Sequence, residues 1–176
     1  MRKKNEQKMA VKKQDNAKEL IWEAAIDGDW DAVKEWLKHD PSLITVTGFV
    51  SGGLEAALLH VALMHRLDKD SIKYLIELGA DVNTEYDFGG LPLNMTSNVE
   101  ILECLVSHGA NPDVTDWSGR TPLHYAAIDD GGVDVLKFFV GQAIDTSVVD
   151  RFGKIALDYA DTEEKKRLLR RMMTGG

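Results

Sequence analysis

The feature that most constrains this chain is an internal repeat. The stretch DWSGRTPLHYA, from Asp116 to Ala126, returns 34 residues later as DRFGKIALDYA, from Asp150 to Ala160. Shorter words recur earlier in the chain at a spacing of 30 residues, such as GAD at 79–81 and GAN at 109–111. A unit of this length cannot bury its own apolar face, so several units must stack to form a core. The chain is therefore predicted to fold as a row of small, similar units.

Within the repeat, the spacing of apolar residues predicts helices. Ile72, Leu75 and Ile76 recur every three or four residues and fall on one face of a helix. Gly79 follows this helix, at the place where a left-handed residue commonly ends one. Thr121-Pro122 is typical of the start of another helix, because proline suits the first turn. Each unit is thus expected to contain two helices, with tight turns such as 116–119 between units.

These words resemble the ankyrin repeat. TPLHYAA at 121–127 matches the word that opens the first helix of that repeat, and LIELGADVN at 75–83 and LVSHGANPD at 105–113 match its end. The resemblance implies an all-α solenoid of about five helix-turn-helix units with short β-hairpin turns. The predicted units, named first to fifth, span about 19–45, 46–85, 86–115, 116–149 and 150–171, between a basic tail at 1–18 and a short tail at 172–176.

Three places depart from the ankyrin pattern. The second unit begins with TGFVSGGL at 47–54 and lacks the Asp-x-x-Gly turn motif found at 116–119 and 150–153. This departure predicts an irregular loop in place of a hairpin. The third unit is short between Leu91 and Val99, so its first helix should be one turn at most. The fourth unit has Ala143-Ile144 where Gly-Ala is expected, which predicts a weak end to its second helix.

Charge is distributed unevenly along the chain. The net charge of the 176 residues is −8, but residues 1–18 carry +5, residues 19–160 carry −15 and residues 161–176 carry +2. An acidic body repels nucleic acid and anionic lipid, and it favours a basic or neutral partner. The N-terminal tail is either a solvated leader, the favoured interpretation, or a site for a polyanion.

Composition and motifs argue against several other classes of protein. One cysteine, Cys104, excludes an internal disulfide and is expected to be a buried thiol. No apolar stretch is long enough to span a membrane or to serve as a secretory signal, which predicts a cytoplasmic protein. His60 and His124 end the TPLH-type word, and the resemblance implies that they hydrogen-bond backbone between neighbouring turns. No catalytic, metal or cofactor site is predicted.

By resemblance, partners bind at the hairpin tips and on the exposed face of the first helices. The predicted partner-binding residues are Asp87 and Phe88 in the third unit, Trp117, Ser118, Arg120 and Asp129 in the fourth, and Arg151, Phe152 and Lys154 in the fifth. Large aromatic and arginine side chains are frequent anchors of protein interfaces. The alternative is that the aromatic rings simply pack on neighbouring tips.

Two functional hypotheses follow. The first is a non-enzymatic, monomeric protein-interaction module with an unidentified protein partner. The alternative is an acidic regulatory inhibitor that masks a basic site on an enzyme or nucleic-acid-binding protein. A weaker resemblance, at Leu75 with 81–83, is to the site at which an oxygen-dependent hydroxylase modifies ankyrin asparagines; otherwise Asn83 should bond backbone within its own turn.

Overall fold

The computed structural model describes residues 16–174, apart from the side chain of Phe88. Most of the predicted basic tail, residues 1–15, therefore lies outside the described residues. The helices in residues 16–174 are α1 (Ala17–Asp27), α2 (Trp30–His39), α3 (Leu58–Met64), α4 (Lys69–Glu77), α5 (Val99–Ser107), α6 (Pro122–Ile128), α7 (Gly132–Phe139) and α8 (Glu163–Met173). Two strands, β1 (Thr47–Val50) and β2 (Leu54–Ala57), complete the regular structure with 3₁₀ turns at Pro41–Thr45, Asp87–Gly89, Pro92–Asn94 and Ala156–Tyr159.

The apolar core runs along the whole described chain. Ile21, Leu37, Leu75, Leu102 and Leu136 are all at most 2% exposed, and each comes from a different helix. The stripe predicted on α4, formed by Ile72, Leu75 and Ile76, is buried, and the core is shared between successive helix pairs. This helix-rich architecture with short strands is consistent with the predicted fold. The division into five units stays a prediction.

The third unit is shortened where the sequence is short. Its first helix is replaced by the three-residue turn Pro92–Asn94, which confirms the expectation of one turn at most. The helices at the two ends of the chain are slightly longer than expected. Helix α1 already begins at Ala17, and α8 continues to Met173.

The expectation of an irregular loop in the second unit is wrong. Strands β1 and β2 form an antiparallel hairpin in which Thr47 pairs with Ala57. Gly52 and Gly53 close the turn with left-handed φ angles of 92° and 75°. Two consecutive residues with positive φ are typical of tight hairpin turns, and glycine adopts this left-handed conformation without steric cost.

This hairpin lies directly against α1. The indole Nε1 of Trp22 donates a hydrogen bond to the carbonyl of Phe49 at 3.2 Å. A Cβ atom at Gly48 would lie 2.4 Å from the ring of Trp22, so any larger residue would push the strand away. The first two units are thus joined by the Trp22 ring, which packs against the backbone at Gly48.

Glycines follow two of the second helices, as predicted. Gly79 and Gly109 have φ angles of 102° and 92° and follow α4 and α5. In the fourth unit, α7 ends at Phe139 and its C-cap residue, Val140, is extended rather than left-handed. A left-handed glycine, Gly141 with φ of 87°, comes one residue later, and the weak helix end stays a prediction.

Polar side chains tie successive turns together. The Asn83 side chain donates to the carbonyl of Gly109 at 3.0 Å and accepts from the amide of Asn111 at 3.0 Å. Asn83 was expected to bond backbone within its own turn. Its side chain bonds the backbone of the next turn instead. Thirty residues later, Asp113 accepts from the amide of Asp145 at 2.9 Å. The turns are held in fixed positions relative to each other, which is what a binding surface built from them requires.

Candidate functional site

The tip of the fourth unit is built around a buried carboxylate. Asp116 is 9% exposed. One of its oxygens accepts hydrogen bonds from the amides of Ser118 and Arg120 at 2.8 and 2.9 Å, and from the Ser118 hydroxyl at 2.7 Å. The other oxygen accepts from the Tyr125 hydroxyl at 2.5 Å. Four hydrogen bonds to one side chain fix the turn and its first helix as a single rigid element.

The tip of the fifth unit repeats this arrangement. Asp150, 4% exposed, accepts from the amides of Phe152 and Lys154 at 2.9 and 3.1 Å. Its other oxygen accepts from the Tyr159 hydroxyl at 2.5 Å. The repeated word in the sequence therefore corresponds to a repeated hydrogen-bond pattern.

Both carboxylates are held ionised. Burial favours the protonated form of Asp150, but hydrogen bonds from Tyr159 and from two amides outweigh it and lower its pKa from 3.8 to about 2. The pKa of Asp116 is lowered in the same way, since bonds from Tyr125, Ser118 and Arg120 outweigh burial. Burial, followed by the hydrogen bond to Asp116, raises the pKa of Tyr125 to about 12.

Two aromatic side chains project from these rigid tips into solvent. Trp117 is 68% exposed and Phe152 is 60% exposed. The guanidinium of Arg151 lies 4.8 Å from the centre of the Phe152 ring, so these two predicted contact residues form one patch. Burial of such rings is a frequent source of interface energy, and here it requires no rearrangement of the backbone.

Three other predicted contact residues are engaged with the protein itself. The Ser118 hydroxyl bonds Asp116. The Arg120 Nε atom lies 3.7 Å from a carboxylate oxygen of Asp150, and its guanidinium is 5.3 Å from the Tyr159 ring centre. The Lys154 ammonium lies 5.1 Å from the same ring. These side chains stabilise the tips, and their part in partner binding stays a prediction.

The tip of the third unit has Tyr86 where the other two tips have the buried aspartate. Tyr86 and Gly90 exchange two backbone hydrogen bonds, of 2.6 and 2.9 Å. The Asp87 carboxylate accepts from the amide of Glu55 in the second hairpin at 2.6 Å. Phe88, the other predicted contact residue here, has a side chain that lies outside the described residues. Asp87 therefore links two neighbouring tips.

A groove lies on the side of the first helices. It has a volume of about 360 Å³ and runs between residues 93–97 and α6. Ile128, 42% exposed, and Asp129 line its wall. The groove lies beside the 3₁₀ turn that replaces the first helix of the third unit. Asp129 thus faces an opening, as expected for a first-helix contact position.

The two predicted structural histidines bridge successive turns. His60 Nε2 donates to the carbonyl of Thr84 at 2.9 Å, and His124 Nε2 donates to that of Lys154 at 3.0 Å. The Nδ1 atom of His60 accepts from the amide of Ala57 at 3.2 Å, which assigns the proton to Nε2. Burial lowers the pKa of His60 and keeps its ring neutral. The structural role expected for these histidines is confirmed.

The third unit has no histidine at this position. Asn94 stands thirty residues before His124 in the repeat. Both polar atoms of the Asn94 side chain are buried, and neither has a hydrogen-bond partner among the described residues. The shorter amide does not reach the next turn, so the bridge between the third and fourth units lacks this hydrogen bond.

The remaining chemistry is consistent with a structural interior. Cys104 is a buried free thiol, as predicted, and burial raises its pKa. Within residues 16–174, His, Cys, Asp and Glu side chains form no group of three or more that could hold a metal ion. In the same range, every helix is too short or too polar to cross a bilayer.

One exposed aromatic residue escaped the sequence reasoning. Phe49, 68% exposed, lies on the hairpin of the second unit, where the ankyrin turn word fails. The signal was present in the two short runs 47–50 and 54–57 around Ser-Gly-Gly, a pattern typical of a hairpin. The prediction of an irregular loop had instead followed from the missing Asp-x-x-Gly turn motif.

Comparison with known proteins agrees with this architecture. A family model described as ankyrin repeats (3 copies) matches residues 59–150 and 93–167. Cyclin-dependent kinase 4 inhibitor B from Rattus norvegicus is 29% identical over 124 residues, which cover 69% of this chain and 93% of the inhibitor.

Other relatives are much longer than the part that matches. The potassium channel AKT2 of Oryza sativa subsp. japonica is 41% identical over 70 residues, which are 37% of this chain and 8% of the channel. Human rabankyrin-5 is 28% identical over 139 residues, or 68% of this chain and 12% of that protein. The family model covers more than half of the chain, and its boundaries include the repeated tips and the bridging histidines. The chain belongs to the ankyrin repeat family.

Proposed function

We propose that this protein is a non-enzymatic binding module that holds a partner protein through the tips of its third, fourth and fifth units and the adjoining groove. Ankyrin repeats generally mediate protein–protein interaction, and the partner here is an unidentified protein bound by a monomer. The observation that carries the proposal is the exposure of Trp117 and Phe152 on tips that buried aspartates hold rigid.

Rigidity matters because association costs conformational entropy. A tip whose buried aspartate accepts three or four hydrogen bonds loses little freedom on binding, so more of the energy of burying its ring contributes to affinity. The exposed large apolar residues also favour this side of the molecule. Of the eight such residues in the described chain, Phe49, Trp117 and Phe152 lie on tips, and Ile26, Met64 and Ile128 lie at the ends of first helices.

The test is capture of proteins from the native host, followed by affinity measurement with the purified partner. The double variant Trp117→Ala, Phe152→Ala should lose the partner, with affinity reduced about tenfold or more. Its melting temperature should stay close to that of the wild type, since both rings are mostly exposed.

Met173→Ala is the matched control, because Met173 is an exposed apolar residue at the end of α8, away from the tips and the first helices. Proteins retained by the wild type and by this control but lost by the double variant support the proposal. Equal capture by all three proteins contradicts it.

A second candidate function is regulatory inhibition of a partner with a basic site. Two observations favour it. The sequence contains no lysine or arginine from residue 74 to residue 119, a stretch that includes the third tip. One relative, matched over 93% of its length, is named as an inhibitor of cyclin-dependent kinase 4.

Ionic strength separates the two candidates. If the acidic body masks a basic site, affinity should fall steeply between about 50 mM and about 500 mM salt, because exposed charges are screened within a few ångströms at high salt. An affinity that hardly changes over this range favours apolar recognition by the tips.

A further inference from the structure

A second cavity lies between the tips of the second and third units. It has a volume of about 370 Å³ and is bounded by the hairpin β1–β2, by residues 84–87 and by Trp117 from the fourth unit. Its charged lining residues are Glu55, Glu85 and Asp87, and its aromatic lining residues are Tyr86 and Trp117. Three consecutive units therefore contribute to one opening.

The negative charge of this opening is not compensated nearby. Among the described residues, Glu55, Glu85 and Asp87 form no ion pair. Between residues 39 and 119 the sequence has just three lysines or arginines, all from 66 to 73, and Lys73 pairs with Glu77 on α4. Burial raises the pKa of Tyr86, and the negative charge of Asp87 raises it further, as expected where an anion lies beside the phenol.

The polar bonds within the opening leave the carboxylates charged. Glu55 accepts from the hydroxyl of Thr47 at 2.9 Å, and Asp87 accepts from the amide of Glu55 at 2.6 Å. Both donors are neutral, and each bond uses one of the two oxygens that its carboxylate presents. The remaining oxygens can accept hydrogen bonds from a cationic group.

We propose that this cavity binds the side chain of an arginine from the partner protein. The inference rests on the proposed function and specifies the chemistry of the partner. A guanidinium is planar, stacks on aromatic rings and donates paired hydrogen bonds to carboxylates, and the cavity offers both kinds of surface. Lysine would satisfy the charge but would use the aromatic wall less well.

The probe is a short peptide, N-acetyl-Gly-Arg-Gly amide, with the citrulline peptide as its neutral isostere. Binding is followed by nuclear magnetic resonance on the full-length protein. We expect the arginine peptide to cause saturable shifts of the Trp117 indole N–H and of the amides of Glu85 and Asp87, and the citrulline peptide to cause none. Equal shifts with both peptides, or no shift at these three positions, would overturn the proposal.

Charge variants separate a site from general attraction. Glu55→Gln with Glu85→Gln should weaken the arginine peptide about threefold or more. The control is Glu100→Gln with Glu103→Gln on α5, which makes the same change in net charge outside the cavity and should leave the affinity unchanged. An equal loss in both double variants would show attraction to the acidic body as a whole and overturn the site.

Failure here is distinguishable from failure of the proposed function. If the arginine peptide does not bind but the Trp117→Ala, Phe152→Ala variant still loses its partner, the cavity is wrong and the tip surface stands. If the peptide binds as expected and that variant keeps its partner, the proposed function is wrong, and so is the role of the cavity in holding that partner, because Trp117 lines the cavity.

Discussion

The tips of the fourth and fifth units and the tip of the third unit reach the same backbone shape with different side chains. In the first two, a buried aspartate collects bonds from two amides and a tyrosine hydroxyl. In the third, Tyr86 occupies the aspartate position, and the turn is closed by backbone bonds to Gly90. What all three retain is a left-handed glycine, at 89, 119 and 153, with φ between 71° and 78°.

The side chains that hold a tip turn in place differ between the units, whereas the left-handed glycine is the same in all three tips. Polar side chains that pin a turn can be exchanged for other bonds, because many donors can satisfy the same amides and carbonyls. The glycine is harder to exchange, because its positive φ strains any other residue, and at Gly89 and Gly119 a Cβ atom would also crowd the next tip.

The three tip glycines form a graded series. A Cβ atom at Gly89 would lie 2.7 Å from the backbone nitrogen of Trp117, whereas one at Gly119 would lie 3.0 Å from Asp150 Cα. At Gly153 the described structure has no atom within 4 Å. Gly89→Ala should lower the free energy of unfolding by about 3 kcal/mol, through backbone strain and a clash with the next tip.

Gly153→Ala is the internal control, since it carries the same strain without the clash. It should cost about 1 kcal/mol, with Gly119→Ala between the two, as measured by urea unfolding. Equal losses in all three variants would show that left-handed strain alone explains the glycines and that the approach of neighbouring tips contributes nothing.

His124→Asn gives the fourth unit the residue that the third unit has at this position. It removes the bond that the buried His124 ring donates to the carbonyl of Lys154. The unfolding free energy should fall by about 2 kcal/mol, because the shorter amide stays buried without this partner. Urea unfolding measures it against His39→Asn, a change at an exposed histidine on α2. A loss no larger than that of the control would mean that the bridge does not stabilise the array.

The second unit, through His60, and the fifth unit, through Asp150, should respond to acid in different pH ranges. The pKa of His60 is lowered from 6.5, so the unfolded chain takes up a proton there more readily, and this stability is present above pH 6.5 and lost as the pH falls below it. The pKa of Asp150 is lowered from 3.8 to about 2, so its contribution is lost only as the pH falls from 3.8 towards 2.

Unfolding free energies from pH 7 to pH 2 measure both contributions. His60→Gln should flatten the profile below pH 6.5, and Asp150→Asn should flatten it below pH 3.8. A profile that keeps its wild-type slope in either range after the matching substitution would contradict the assignment of that range.

Asn94→His is the reverse exchange and the smallest expected effect. Supplying the longer ring to the third unit should raise the unfolding free energy by about 1 kcal/mol if it reaches the next turn, since the unpartnered amide is removed and a bridging bond is gained. Urea unfolding gives the size of the change, and a new protected ring N–H in the nuclear magnetic resonance spectrum confirms the bond. A destabilised variant would mean that the shortened unit cannot hold a bridging histidine.

Local signals in the sequence were sufficient for much of the fold. The turn word at 116–119, the helix start at Pro122 and the helix-ending glycines at 79 and 109 each depend on neighbouring residues, and each was found where predicted. The shortened first helix of the third unit could be counted directly from the missing residues. These features are local, so a single sequence contains them.

The errors came from places where contacts between units decide the outcome. The second hairpin forms although its turn word is missing, because Gly48 lets the strand pack against Trp22 twenty-six residues earlier. The exposure of Phe49 follows from that packing and had no counterpart in the repeat pattern. The contact of Arg120, in the fourth unit, with Tyr159, in the fifth, likewise had no counterpart in the repeat pattern, and the part of Arg120 in partner binding stays a prediction.

The sequence by itself determined the repeat, its helices and the position of its tips, because periodicity and turn chemistry act over a few residues. The tertiary structure alone decided which tip residues face solvent. It also brought Glu55, Asp87 and Trp117, from three different units, around one acidic cavity. The physical reason is that side-chain exposure and the summed field of charges depend on distances across units, and those distances are fixed when the units stack.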